Sequence, residues 1–125
     1  MTSTQAGAWR KGLGQRGEAL AADALARLGY AIVDRNWRCR VGEADIVARR
    51  GAQLTFFEVR TRRGSAFGTP EESLTETKQA RMAQVALTYL AEHDLDDADW
   101  DLGVVAVELD PSGHLLRVEV YESIA

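Results

Sequence analysis

Asp45 and Glu58 are the residues of this chain whose types and spacing most directly suggest chemistry. They lie on either side of Gly51-Ala52, which separates the runs Glu43–Arg50 and Gln53–Thr61. Glycine at the first central position marks a type II′ two-residue hairpin loop. With Gly51 and Ala52 as the loop, Arg50 faces Gln53, and counting outward brings Asp45 opposite Glu58. Directly opposed residues share a face, with Cβ atoms about 4.5–5.5 Å apart. Two carboxylates so placed repel, so the fold needs a cation between them or a proton on one of them. A hard divalent ion, Mg²⁺ or Mn²⁺, suits two carboxylates completed by waters.

The same register sets Arg60 opposite Glu43, and the period of two puts Arg60 on the face of Glu58. Glu43, Asp45, Glu58 and Arg60 are therefore expected as one polar cluster in otherwise apolar strands. The competing reading is a salt-bridged edge in which Arg60 and Arg62 neutralise the acids and no metal binds. A one-residue shift of the turn would dissolve the Asp45–Glu58 pairing.

The elements that must position this cluster can be read along the chain. Residues 1–13 read as a flexible N-terminal arm, and residues 14–125 as a single domain. From Gly14 to Leu28 the apolar residues Leu20, Ala21, Ala24, Leu25 and Leu28 recur at helical spacing, with Gly29 at a left-handed cap. Tyr30–Trp37 reads as a strand, followed by the two hairpin strands. Residues Arg62–Pro70 read as a loop in which Phe67 is a candidate lid residue. Ser73 and Thr75 are candidate N-caps of a second helix, and Ser73 with Glu76 fits a capping box. That helix buries Met82, Val85, Ala86, Tyr89 and Leu90. Two valine-rich strands, Leu102–Leu109 and Leu115–Tyr121, meet at Asp110-Pro111-Ser112-Gly113. The expected class is α/β, in the order helix, three strands, helix, two strands.

The 125 residues suffice for one core, and 46% hydrophobic with 27% charged residues is an ordinary globular composition. No apolar stretch approaches the roughly 20 residues of a membrane span, and Met1–Gly7 has no secretory apolar core. Cys39 is the only cysteine, which excludes an intrachain disulfide and a cysteine metal cage and fits a reducing cytoplasm. The net charge of -4 hides a split. The basic residues concentrate in the first half, and the acidic ones in the second.

Several short motifs occur in order: Gly17-Glu18, Asn36-Trp37-Arg38-Cys39-Arg40, Gly42-Glu43-Ala44-Asp45-Ile46-Val47-Ala48-Arg49, Phe57-Glu58-Val59-Arg60-Thr61-Arg62, and Phe67-Gly68-Thr69-Pro70-Glu71-Glu72, then Thr75 and Lys78-Gln79. As a set they resemble the YraN-like family, within the PD-(D/E)xK nuclease-like superfamily of Holliday-junction resolvases and restriction endonucleases. The resemblance implies a restriction-endonuclease-like αβββαβ core, a mixed central sheet flanked by helices. It also implies roles. Asp45 and Glu58 match the metal-ligating acids, the Val59 carbonyl completes the inner shell, and Glu18 reaches the ion through water. Gln79 matches a polar position that orients water or phosphate. Arg60 stands where the superfamily carries a lysine.

These parts suit hydrolysis of DNA phosphodiesters by a Mg²⁺- or Mn²⁺-dependent endonuclease. Arginine grips phosphate bidentately but does not give up a proton, so phosphate clamping is expected of Arg60 and base catalysis is not. Arg38, Arg40, Arg62, Arg63 and Lys78 are expected to contact the nucleic-acid backbone. Trp37 is expected in the core, and His93 and His114 outside the chemistry. The resemblance also admits branched or structured DNA as substrate, and a homodimer. Two other readings stand beside this one: a catalytically inactive nucleic-acid-binding module of the same fold, and a protein-interaction scaffold using the acidic second half.

Overall fold

The computed structural model describes residues 2–64 and 74–124, with side chains in the first helix from Gln15 onward. Seven elements follow in the order α1 (Thr2–Arg27), β1 (Ala31–Cys39), β2 (Gly42–Arg50), β3 (Gln53–Arg63), α2 (Glu76–Glu92), β4 (Asp99–Leu109) and β5 (Leu115–Tyr121). The expected α/β order is present. The strands form one sheet in the order β1-β2-β3-β4-β5. Three pairings are antiparallel and β3–β4 is parallel, which makes the sheet mixed. A parallel pair cannot be closed by a tight turn, and α2 belongs to the crossover that joins it.

The helices cover opposite faces. Ala21, Ala22 and Leu25 of α1 pack with Ile46, Ala48, Phe57, Val105 and Val107. Val85, Ala86, Tyr89 and Leu90 of α2 pack with Val47, Phe56 and Leu102. The central strand β3 is thus buried on both faces across Leu54–Phe57. Trp37 joins the α2-side core, edge-on to Tyr89 with ring centroids 5.0 Å apart.

Several boundaries differ from the sequence expectation. The α1 backbone begins at Thr2 rather than Gly14. Alanines and the absence of proline let the helix propagate through residues 2–13 despite the glycine cost of about 1 kcal/mol each. At its other end Gly29 has φ +92°, and the Tyr30 N–H reaches the Leu25 carbonyl while the Gly29 N–H reaches that of Ala26. This Schellman closure turns the chain before Leu28 can join the buried stripe, and Leu28 is 48% exposed.

β3 continues through Arg62 and Arg63, which were expected in a loop, because β4 offers a partner at both positions, Glu108 and Leu109. Thr75 caps α2 by accepting the Lys78 N–H at 3.2 Å. Phe67, Gly68 to Glu72 and Ser73 lie outside the described residues.

Gly103 allows β4 to pass Phe57. A Cβ there would lie 2.6 Å from Phe57 Cδ1 and 2.9 Å from the Tyr121 carbonyl oxygen. Gly103→Ala is expected to cost about 2–3 kcal/mol by overpacking. Denaturant midpoints measured by circular dichroism check this, and an unchanged midpoint would refute it.

Candidate active site

The hairpin register is the expected one. Gly51 has φ +62°, and the ladder runs from Arg50 opposite Gln53 to Ile46 opposite Phe57. There it stops, one step short of Asp45 and Glu58. The strands fork, and Asp45 Oδ2 accepts the Val59 N–H at 2.8 Å instead.

The opposite edge of β2 is interrupted at the same level. The β1 ladder pairs Arg35 with Ile46 and Trp37 with Ala44, and skips Asn36. Asn36 has φ +52°, a conformation asparagine tolerates better than most residues. Side-chain alternation slips here too. Ile46 and Ala48 face the α1-side core, but Ala44 joins Val47 on the α2 side. Asp45 therefore sits at an irregularity of β2 that frees it from both ladders.

Its surroundings are acidic. Burial pushes the Asp45 carboxyl from the ordinary 3.8 up to about 6, the Val59 N–H opposes this, and the charges of Glu18, Glu43 and Glu58 raise it further. Glu18 comes from α1, which approaches β3 closely at the preceding residue. A Cβ on Gly17 would lie 2.9 Å from Thr61 Cβ and 3.1 Å from Thr61 Cγ2. The half-buried Glu18 is thereby held beside the fork.

Arg60 lies next to Glu58, with Nη2 to Oε2 at 3.3 Å, and its side chain is 22% exposed. Its Nε is buried and has no hydrogen-bond partner among the described residues. Such an orphaned donor carries a desolvation cost of about 1–3 kcal/mol until an acceptor reaches it. The expected Arg60–Glu43 pair does not form. Past Ile46 and Phe57 the strands no longer run in register, and Glu43 pairs with Arg38 Nε of β1 at 2.9 Å.

The fork opens into a cavity of about 260 Å³. Glu43, Asp45 and Glu58 line it from the sheet, and Lys78, Arg81, Met82 and Val85 line it from α2. Lys78 and Arg81, two cations near the start of the second helix that oppose its macrodipole unless they meet an anion, both line the cavity. The helical spacing of 78, 81, 82 and 85 sets these residues on one face.

Gln79 is not among the lining residues; its amide Nε2 donates to the Ile124 carbonyl at 3.5 Å. The odd step in a helical face turns it toward the C-terminal segment and away from the acids. Arg38 and Arg40 flank the β1–β2 turn, both exposed. Arg62 is half-buried and Arg63 exposed, with Arg63 Nε donating to the Pro111 carbonyl at 2.9 Å.

Among the described residues, no three or more His, Cys, Asp or Glu side chains are gathered into a ready-made metal cage. The all-oxygen pair Asp45 and Glu58 fits instead an ion that keeps most of its waters, as Mg²⁺ does. The half-buried Asp45 among three further acids is the feature a cation would relieve.

The family model described as "Uncharacterised protein family UPF0102" matches residues 17–110. The chain belongs to this family. It is the YraN-like family that the motifs resemble, and the matched stretch runs from Gly17 to Asp110. A UPF0102 protein of Acidothermus cellulolyticus is 49% identical over 113 residues, covering 88% of this chain and 86% of that protein. One from Moorella thermoacetica is 46% identical over 111 residues, covering 89% and 92%. One from Nocardia farcinica is 48% identical over 105 residues, covering 84% and 82%. Among the described residues of this UPF0102 member, no helix is long and apolar enough to cross a membrane.

Proposed function

We propose that this UPF0102 protein is a divalent-metal-dependent endonuclease acting on DNA, with structured or branched DNA as the preferred form. The observation that carries the reading is the position of Asp45. Released from both ladders and beside Glu18, Glu43 and Glu58, it costs the fold stability in a way that a bound cation offsets.

Asp45 and Glu58 would hold Mg²⁺ or Mn²⁺, with the Val59 carbonyl alongside and Glu18 acting through water. The ion supplies a water of lowered pKa and positive charge for the phosphate oxygens. The chain's own part is positioning. The Val59 N–H fixes the Asp45 carboxylate, and Glu58 steadies Arg60. Arg60, 22% exposed, would offer the accessible part of its guanidinium to a phosphate oxygen. As a guanidinium it keeps its proton throughout, so it clamps and neutralises without acting as a base. Lys78, Arg81, Arg38 and Arg40 border the cavity and the adjacent turn, where contacts to further phosphates would weaken with salt.

The test is cleavage of labelled branched and linear DNA under Mn²⁺ and Mg²⁺ titration. Wild type is expected to cut only with the ion present. Glu58→Gln is expected to lose at least about 100-fold in rate, on the scale of losing one metal-dependent interaction. Activity that survives Glu58→Gln refutes this site. The Arg60–Glu58 ion pair favours a second reading, a DNA-binding module in which the arginine replaces the cation. Tight, salt-sensitive DNA binding with no cleavage under either ion would establish it.

A further inference from the structure

We infer that the cavity between the strand fork and α2 receives one unpaired nucleotide, so that the substrate class is DNA with a single-stranded overhang or flap beside a duplex. This rests on the proposed nuclease reading and adds what the site selects. The cavity, about 260 Å³, is a little below the usual range for small-molecule sites and on the scale of a single nucleotide. It is also closed at one end. A Cβ on Gly42 would lie 3.2 Å from Val85 Cγ2 and 3.5 Å from the Arg81 side chain, so the β1–β2 turn rests directly on α2. A continuous duplex cannot enter such a space, because its bases stay stacked and paired between two backbones. One unstacked nucleotide can.

The walls match the parts of a nucleotide. Phe56, Met82 and Val85 give an apolar floor for the face of a base. Lys78 and Arg81 give the helix side two cations for a phosphate. Glu43, on the sheet side, is an acceptor for the amino groups of a base edge. The acids also limit entry. A second phosphate pushed toward Glu43, Asp45 and Glu58 would meet three carboxylates, so only the nucleotide nearest the fork is admitted. Unpairing costs a few kcal/mol in a duplex and nothing in an overhang, and that difference becomes selectivity.

The experiment measures equilibrium binding by fluorescence anisotropy, with Ca²⁺ replacing Mg²⁺. It compares a blunt duplex with the same duplex carrying a short single-stranded overhang. The overhang is expected to bind about 10-fold tighter, the scale of one base contact. In Met82→Trp, which fills the cavity from a half-buried position, that ratio is expected to fall to about one.

A second measurement uses the wild type alone. 2-Aminopurine in the overhang is expected to change its emission on binding, while the same base in the paired region does not. Equal affinities for blunt and overhang DNA, an intact preference in folded Met82→Trp, or a silent 2-aminopurine would each overturn the inference. Equal binding with metal-dependent cleavage of both DNAs would leave the nuclease reading standing. Absence of affinity for both DNAs would remove that reading and this one together.

Discussion

Asparagine at position 45 is expected to give a protein that melts higher than the wild type at neutral pH and cleaves nothing. The wild-type carboxyl titrates near 6 in the fold against an ordinary 3.8, chiefly through burial and then through the neighbouring acids. The folded state therefore holds the proton more tightly than the unfolded one. Well below pH 3.8 the carboxyl is neutral in both states and carries no penalty. As pH rises from about 4 to 6 the unfolded chain ionises first, stability falls, and above 6 the full penalty persists. Its size is on the order of 1–3 kcal/mol once solvent screening is allowed for. The amide keeps the shape and can still accept the Val59 N–H, but carries no charge.

Asp45→Asn should thus raise the Tm by about 5 °C at pH 7.5, with the gain shrinking as pH falls below 6 and vanishing well below 3.8. Mg²⁺ or Mn²⁺ should raise the wild-type Tm by mass action and leave the variant unmoved. Calorimetry across pH, with and without the ion, reads all of this. A variant less stable than wild type at neutral pH, or one equally stabilised by Mn²⁺, would sink the electrostatic account of the site.

The second large effect is expected at Gly17. Its Cα faces Thr61, and an added Cβ would lie within 2.9 Å of Thr61 Cβ and 3.1 Å of Thr61 Cγ2. The hydroxyl lies closer still. Rotating Thr61 cannot relieve the contact with its Cβ, whose position is fixed by the backbone. α1 must then lift from β3, and Glu18 moves with it away from Asp45. Gly17→Ala is expected to lose about 2–3 kcal/mol and most of the metal-induced rise in Tm. Thr61→Gly removes the Cβ together with both branches and should restore part of the loss in the double variant. A double-mutant cycle in urea supplies the coupling, which is expected to exceed about 1 kcal/mol. Simple additivity of the two substitutions would show that the helix is not held by this contact.

Much of this arrangement was legible in the residues. Gly51-Ala52 set the hairpin register because glycine in a two-residue loop pins the pairing, and that register holds from Arg50–Gln53 to Ile46–Phe57, whereas the expected Asp45–Glu58 pairing lies one step beyond the end of the ladder. The two helices followed from apolar spacing, and the Met82, Val85, Tyr89 stripe needed no tertiary information. What stayed hidden depended on strands leaving their ideal course. Period two predicted that Arg60 would meet Glu43, whereas the fork at Asp45 separates them and gives Arg60 to Glu58 and Glu43 to Arg38. The slip in β2 had one faint sign, asparagine at position 36, a residue suited to positive φ. Gln79 shared a motif with Lys78, but one helical step turns it to another partner, and only packing decides that.

The parallel pairing of β3 with β4 has a consequence for how the molecule comes into being. Strands β1 to β3 are joined by short turns and pair with their chain neighbours, so their contacts are local. β4 reaches β3 only after a long excursion that includes α2, and such a distant contact forms slowly.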